Sequence, residues 1–299
     1  MYRRSFLKAA AALSAAVQFG SAFGDQSKAH SRKAFKRIAT EEAMLIPEIL
    51  DEWRIRLKAE DESEPGFRST VGAYIGGSYI DSRLIDLGPM RLAEMDATGI
   101  DMQILSIASP GVQVFDHAKA ADLAKKTNDR MAEAIATHPD RFTGLAAVAP
   151  QNPREAAREL ERAVQNLGLK GALINSHTKG EYLDDPKFWP IFETAQGLDV
   201  PVYIHPREPS PQMLEPYLER GIQSAGWGFA AETGLHTVRL LVSGVFDEFP
   251  GLKIILGHMG EMIPYWLPRI DGLGQRDHWA PGSNNGKTRR LKKLPSEYF

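Results

Sequence analysis

Six short runs rich in β-branched and aromatic residues recur along the chain: Arg37–Met44, Asp101–Ser109, Phe142–Pro150, Gly171–Ser176, Val200–Pro206 and Leu252–Met259. No other feature restricts the fold as tightly. Between most of them lie longer stretches such as "NPREAARELERAVQNLG" and "GFAAETGLHTVRLLVSGVFDEFP", in which apolar residues fall at three- and four-residue spacings before a Gly or Pro. Strand, helix, strand in regular order builds right-handed βαβ units, and such units form a parallel sheet. No linker-like change of composition interrupts the order, so residues 34–299 read as one domain. The interval Leu45–Ile100 breaks the rhythm. Its Gly, Pro, charged and aromatic residues predict an elaborated loop with one or two helices, either a cover over an active site or a peripheral decoration.

Residues 1–24 have the organisation of an export signal: Arg3 and Arg4, an apolar stretch, then small residues at Ala22 and Gly24. The arginine pair followed by Ser5, Phe6, Leu7 and Lys8 resembles a twin-arginine signal, which predicts a periplasmic or secreted protein. The apolar stretch is too short and too alanine-rich to span a bilayer, so a membrane-embedded protein is not expected. With a formal net charge of -2 over 299 residues, the chain shows no footprint for nucleic acid. The basic run "GKTRRLKK", Gly286–Lys293, reads as a solvated helix face. There is no cysteine, so any metal must be held by His, Asp or Glu.

Chemistry concentrates at three strand ends. The first run, "RIATEEAM", places Glu41 and Glu42 among apolar neighbours, where a carboxylate is costly unless it meets a cation or a metal. Alternation along a strand sends one inward and the other outward. In "VPVYIHPREP" the run delivers His205 directly into Pro206, which removes a ladder donor and forces the chain out of the sheet. In "LKIILGHMGE" a buried apolar run leads to Gly257, which permits close backbone approach, then to His258 and, three residues on, Glu261. A core histidine satisfied by a carbonyl is the ordinary reading of one such residue. Three in parallel favour a site, because catalytic groups of a barrel project from the C-terminal ends of its strands.

These blocks, with "RLAEMDATGIDMQILSIASPGVQ", "NDRMAEAIATHPDRFTGLAAVAP" and the closing "LPSEYF", resemble the amidohydrolase-like, metal-dependent decarboxylases of hydroxybenzoates, of the γ-resorcylate and 2,3-dihydroxybenzoate type. The resemblance runs from about Lys36 to the last residue. It implies an α/β fold, a (β/α)8 TIM barrel, carrying one divalent ion, Zn2+ or Mn2+, and acting on a small aromatic carboxylic acid. It matches Glu41 and His205 to the family's metal ligands, with Ala43 where many members have another. His258 and Glu261 match the proton-handling pair. Their partner in the family is an aspartate on an eighth strand, also a metal ligand. Against that pattern the last two βα units, of about 30 residues each, are missing, which makes the chain read as incomplete at its C-terminus. A dimer or tetramer is also implied.

Asn175 and His177 follow the fourth run at the same end of the barrel and are candidate substrate contacts. Arg207 has a fork suited to a carboxylate, although a structural salt bridge serves equally well. His236 lies within a helical pattern, where packing or a subunit contact is expected, and Phe188 and Trp189 read as core. Two other readings stay open: a metal-dependent hydrolase of a lactone or amide, and an inactive remnant.

Overall fold

The computed structural model describes residues 35–59, 64–72, 75, 80–274 and 291–299. The export signal over residues 1–24 and most of the basic run Gly286–Lys293 lie outside the described residues. All six strand positions are present. β1 (Ile38–Met44), β2 (Met102–Ile107) and β3 (Phe142–Gly144) pair in parallel. β4 (Ala146–Ala147), β5 (Ala172–Asn175), β6 (Pro201–His205) and β7 (Lys253–Leu256) do the same. The third predicted strand is realised as two short pieces. Leu145 donates its N–H to the Leu105 carbonyl at 2.9 Å, whereas Ala146 donates to Gly171 at 2.8 Å, so the partner changes within one residue.

Side-chain alternation explains how this sheet is covered on both faces. Val202 and Ile204 of β6 join Ala172 and Ile174 of β5 in a cluster with Leu160, Phe188, Ile191 and Phe192 from the covering helices. Tyr203, Leu173, Leu105 and Leu145 point the other way, into a second cluster with Met44 and Trp53. Leu160 belongs to α6 (Pro153–Gln165), Ile191 and Phe192 to α7 (Trp189–Gly197) and Phe188 to the turn before it, whereas α5 (His117–Thr137) packs Ala120, Leu123 and Met131 into the second cluster. The Asp116 side chain starts α5 by accepting from the Lys119 N–H at 3.0 Å, and Asn152 caps α6 in the same way.

β7 departs from expectation. The sequence predicts a buried run through Met259, but the strand stops at Leu256 and its outer face is open, with Ile255 42% exposed. Among the described residues β7 is hydrogen-bonded on one side only, as is β1. The final segments are α8 (Glu215–Leu218), α9 (Gly228–Ser243), α10 (Val245–Glu248) and α11 (Ile263–Gly274).

Among the described residues, the interval after β1 holds four helical segments rather than one or two: α1 (Pro47–Lys58), α2 (Phe67–Val71), α3 (Ile80–Ile85) and α4 (Pro89–Thr98). It is anchored over the C-terminal ends of the strands rather than hung at the periphery. The buried Trp53 of α1 donates Nε1–H to the Gly111 carbonyl, beyond β2, at 3.2 Å. Thr70 of α2 reaches Glu208, beyond β6, at 3.0 Å. Residues Arg37–Phe299 form one unit, and among the described residues no helix is long and apolar enough to cross a membrane.

Candidate metal centre

β1 and β2 slip register between Ala39 and Glu42, and past this irregularity the two consecutive carboxylates part company. Glu41 turns to the ends of β6 and β7. Glu42 turns away, where burial pushes its carboxyl up in pKa despite the nearby Arg91. His205 is the last residue of β6, and its Nε2 lies 3.1 Å from Glu41 Oε1. His258 brings its own Nε2 to 2.7 Å from the same oxygen. Glu261 stands behind it, with Oε1 3.0 Å from His258 Nδ1. The four residues singled out at three strand ends therefore meet in one cluster, and Glu41, His205 and His258 each offer a ligand atom within 4.8 Å of the others.

The backbone that delivers His258 is unusual. His258, Met259, Glu261 and Met262 all adopt positive φ, between 46° and 66°, a region non-glycine residues rarely enter. Just before them Gly257 is required by space: a Cβ there would sit 2.6 Å from Pro206 Cδ and 3.1 Å from the Ile204 carbonyl. Gly257→Ala is therefore expected to cost about 1–3 kcal/mol of stability and to weaken ion binding by pushing His258 off Glu41. Urea denaturation of the variant checks the first effect and Mn2+ titration the second.

The charges are coupled. Burial disfavours the Glu41 carboxylate, but hydrogen bonds from His205, His258 and Tyr203 outweigh it and hold its pKa well below the usual carboxylate range. The bond to Glu41 raises the pKa of His258, against partial burial. Burial raises Glu261, with the imidazole opposing. Tyr203 was not legible as a site residue. Its hydroxyl donates to Glu41 Oε2, and its ring stacks near that of His205 at 6.5 Å. The available signal was its position two residues before His205, hence on the same strand face.

Three residues read as substrate contacts take different places. Asn175 lies in register with His205, is buried, and its Oδ1 has no hydrogen-bond partner. Its backbone is held by Gln113, which accepts from Asn175 N at 2.6 Å and donates back to its carbonyl at 3.1 Å. His177 is corrected: both ring nitrogens are committed, Nε2 to the Glu208 carbonyl at 3.2 Å and Nδ1 to Gly180 N at 3.1 Å. Arg207 is corrected too. It is fully buried, and its guanidinium donates to Glu64 at 3.0 Å, Glu208 at 2.5 Å and the His177 carbonyl at 3.1 Å. The structural salt bridge, the second of the two readings, is the one the geometry supports, because the guanidinium is fully buried against two carboxylates that neutralise it.

His236 packs, as expected, within a buried polar chain. Its Nε2 accepts from Leu183 N at 3.1 Å, which leaves the proton on Nδ1 to be donated to Ser176 Oγ at 3.0 Å. Ser176 in turn donates to Glu232 at 3.1 Å, and Tyr182 and Ser210 N complete that carboxylate's shell. This polarity makes Ser176 a relay in a structural chain, since the imidazole cannot take its proton. Burial raises Glu232 to a pKa of about 7 and lowers His236 to about 3. For Glu232 the folded value lies above the unfolded 4.5. Its contribution to stability is thus complete below pH 4.5 and lost as pH rises through about 7, by up to about 3 kcal/mol. Urea denaturation from pH 4.5 to 8 should show Glu232→Gln gaining on the native chain over that window; a pH-independent difference would contradict it. His236 acts with opposite sign, its contribution fading as pH falls from 6.5 toward 3.

The model of the amidohydrolase family matches residues 79–283. The γ-resorcylate decarboxylase of Rhodococcus jostii is 37% identical over 279 residues, 88% of this chain and 78% of that enzyme. The chain belongs to the amidohydrolase family. The γ-resorcylate decarboxylase of a Polaromonas species is 45% identical over 206 residues, 66% of this chain but 62% of that enzyme, so the match spans less than two thirds of the relative. Among solved structures, 5-carboxyvanillate decarboxylase from Novosphingobium aromaticivorans, with bound manganese and 3-methoxy-4-hydroxy-5-nitrobenzoic acid, aligns with a TM-score of 0.84 at 43% identity, covering 89% of this chain and 78% of that one. The parallel strands and covering helices are thus those of an amidohydrolase-type TIM barrel, and the cluster sits where that fold places its chemistry.

Proposed function

We propose that this amidohydrolase removes CO2, without oxidation, from an aromatic acid of the hydroxybenzoate type. The observation that carries the reading is the convergence of Glu41, His205 and His258 at strand ends of a barrel whose solved relative binds manganese beside a benzoic acid. Glu41 and His205 would hold the ion. The residues fit it: the donors are oxygen and nitrogen only, which suits Mn2+ or Zn2+, and His205 Nδ1 is buried without a hydrogen-bond partner. When bound, such an ion supplies fixed positive charge that anchors and polarises the substrate's carboxylate and ortho oxygen.

The chain's own residues do the rest. Glu41 stays ionised and sets the negative corner of the site. His258, backed by Glu261 at Nδ1, can hold a proton at Nε2 beside the reacting ring. In the reaction the ring carbon bearing the carboxylate gains a proton, the bond to the carboxylate breaks, and its electron pair restores aromaticity as CO2 leaves. The resemblance assigns the proton delivery to an aspartate; among the described residues none joins the cluster. The unpartnered Oδ1 of Asn175 is placed to accept from a ring hydroxyl. Export through the twin-arginine route and assembly as a dimer or tetramer belong to the same proposal. The assembly is supported by the exposure of large apolar side chains at and after the turn that carries His258, among them Met259, Tyr265 and Trp266.

Chelator-stripped protein reloaded with Mn2+ and given ortho-hydroxybenzoates tests the reading. CO2 release that needs both the ion and the ortho hydroxyl is expected. Turnover of lactones or amides, with no CO2 from any acid, would instead establish the hydrolase reading.

A further inference from the structure

Glu41 offers two oxygens, and the structure divides them. Oε1 faces His205 Nε2 at 3.1 Å and His258 Nε2 at 2.7 Å. Oε2 is taken by the Tyr203 hydroxyl. An ionised carboxylate accepting a phenol O–H is a charge-assisted hydrogen bond, stronger than one between neutral groups. It resists rotation of the carboxylate about its terminal torsion, which is otherwise broad.

Tyr203 is itself held firmly. Its side chain is on the same face of β6 as His205, and the residue is 6% exposed. Its ring also lies against β7: a Cβ on Gly257 would come within 3.1 Å of Tyr203 Cε1. The absence of a side chain at Gly257 therefore makes room for the ring whose hydroxyl reaches across to β1.

We propose that Tyr203 is a positioning residue that turns Glu41 into a one-oxygen donor, fixing Oε1 toward the ion site and withholding Oε2. The inference rests on the metal-site reading above. A phenol that merely satisfies its own hydrogen bond would leave the ion indifferent to its removal. One that sets the carboxylate's orientation acts as an outer-shell partner, whose loss typically lowers metal affinity about 10–100-fold.

The test compares the native chain with Tyr203→Phe, which keeps the ring and its packing. Mn2+ affinity is measured by competition with a fluorescent chelator, and the Mn2+ electron paramagnetic resonance spectrum of the loaded protein reports ligand symmetry. Affinity lower by about 10–100-fold, with a changed spectrum and unchanged circular dichroism, is expected. Native affinity and spectrum in the variant would overturn the proposal while leaving the metal site standing. Absence of Mn2+ binding by the native chain would overturn both. Should the phenylalanine variant fail to fold, 3-fluorotyrosine placed at position 203 keeps the shape and strengthens the donor. An altered Mn2+ spectrum then supports the assignment, and an unaltered one refutes it.

Discussion

Replacing His205 with alanine is expected to lower CO2 release by about a thousandfold and to abolish measurable Mn2+ binding. The ion's charge stabilisation is worth several kcal/mol, and each 1.36 kcal/mol is a factor of ten in rate. His205 and Glu41 are the two described side chains assigned to hold it. The variant should fold, because the polar contact His205 gives up is the one to Glu41, its ring otherwise meets only the edges and faces of Tyr203 and His258 among the described rings, and its Nδ1 has no partner to orphan. Turnover within tenfold of the native rate, at equal metal loading, would remove His205 from the site.

Arg207→Ala carries the largest expected loss of stability, about 3–5 kcal/mol, because it strands buried carboxylates without their cation. Glu64 and Glu208 are 2% and 1% exposed, and both rely on this guanidinium. The loss should be cooperative with the segment after β1, since Glu64 precedes α2 and Thr70 bonds the same Glu208. Chemical denaturation measures the effect. Neutralising the two acids in the same chain, with Glu64→Gln and Glu208→Gln, should recover part of it, because the penalty is the uncompensated charge rather than lost packing. A loss below about 1 kcal/mol, the range of an exposed pair, would mean that water reaches this network.

What was legible in the sequence follows a physical pattern. Glu41, His205, Gly257, His258 and Glu261 stood out because each breaks an apolar β-run in a way that packing alone does not need. Tyr203 stayed hidden because an aromatic inside such a run is ordinary core, and its role depends on a carboxylate 162 residues away. Arg207 was ambiguous for a related reason: its partner Glu64 lies 143 residues away, in an insertion whose path no periodicity reveals. His177 shares that fate, since it sits at the functional end of the barrel yet spends both nitrogens on loop backbone. The split of the third strand at Leu145 was equally invisible, because a change of hydrogen-bond partner leaves the apolar pattern of Phe142–Pro150 intact. The alternation of strands and covering helices from β2 to β7, by contrast, is written in local periodicity.

The most direct measurement is nuclear magnetic resonance of the product formed in D2O from an ortho-hydroxybenzoate by the Mn2+-loaded chain. Decarboxylation predicts one deuterium on the ring carbon that carried the carboxylate, with one CO2 released per phenol formed. A product that retains its carboxylate, or that has gained the elements of water, contradicts the assignment of Glu41, His205, His258 and Glu261 to a decarboxylase site.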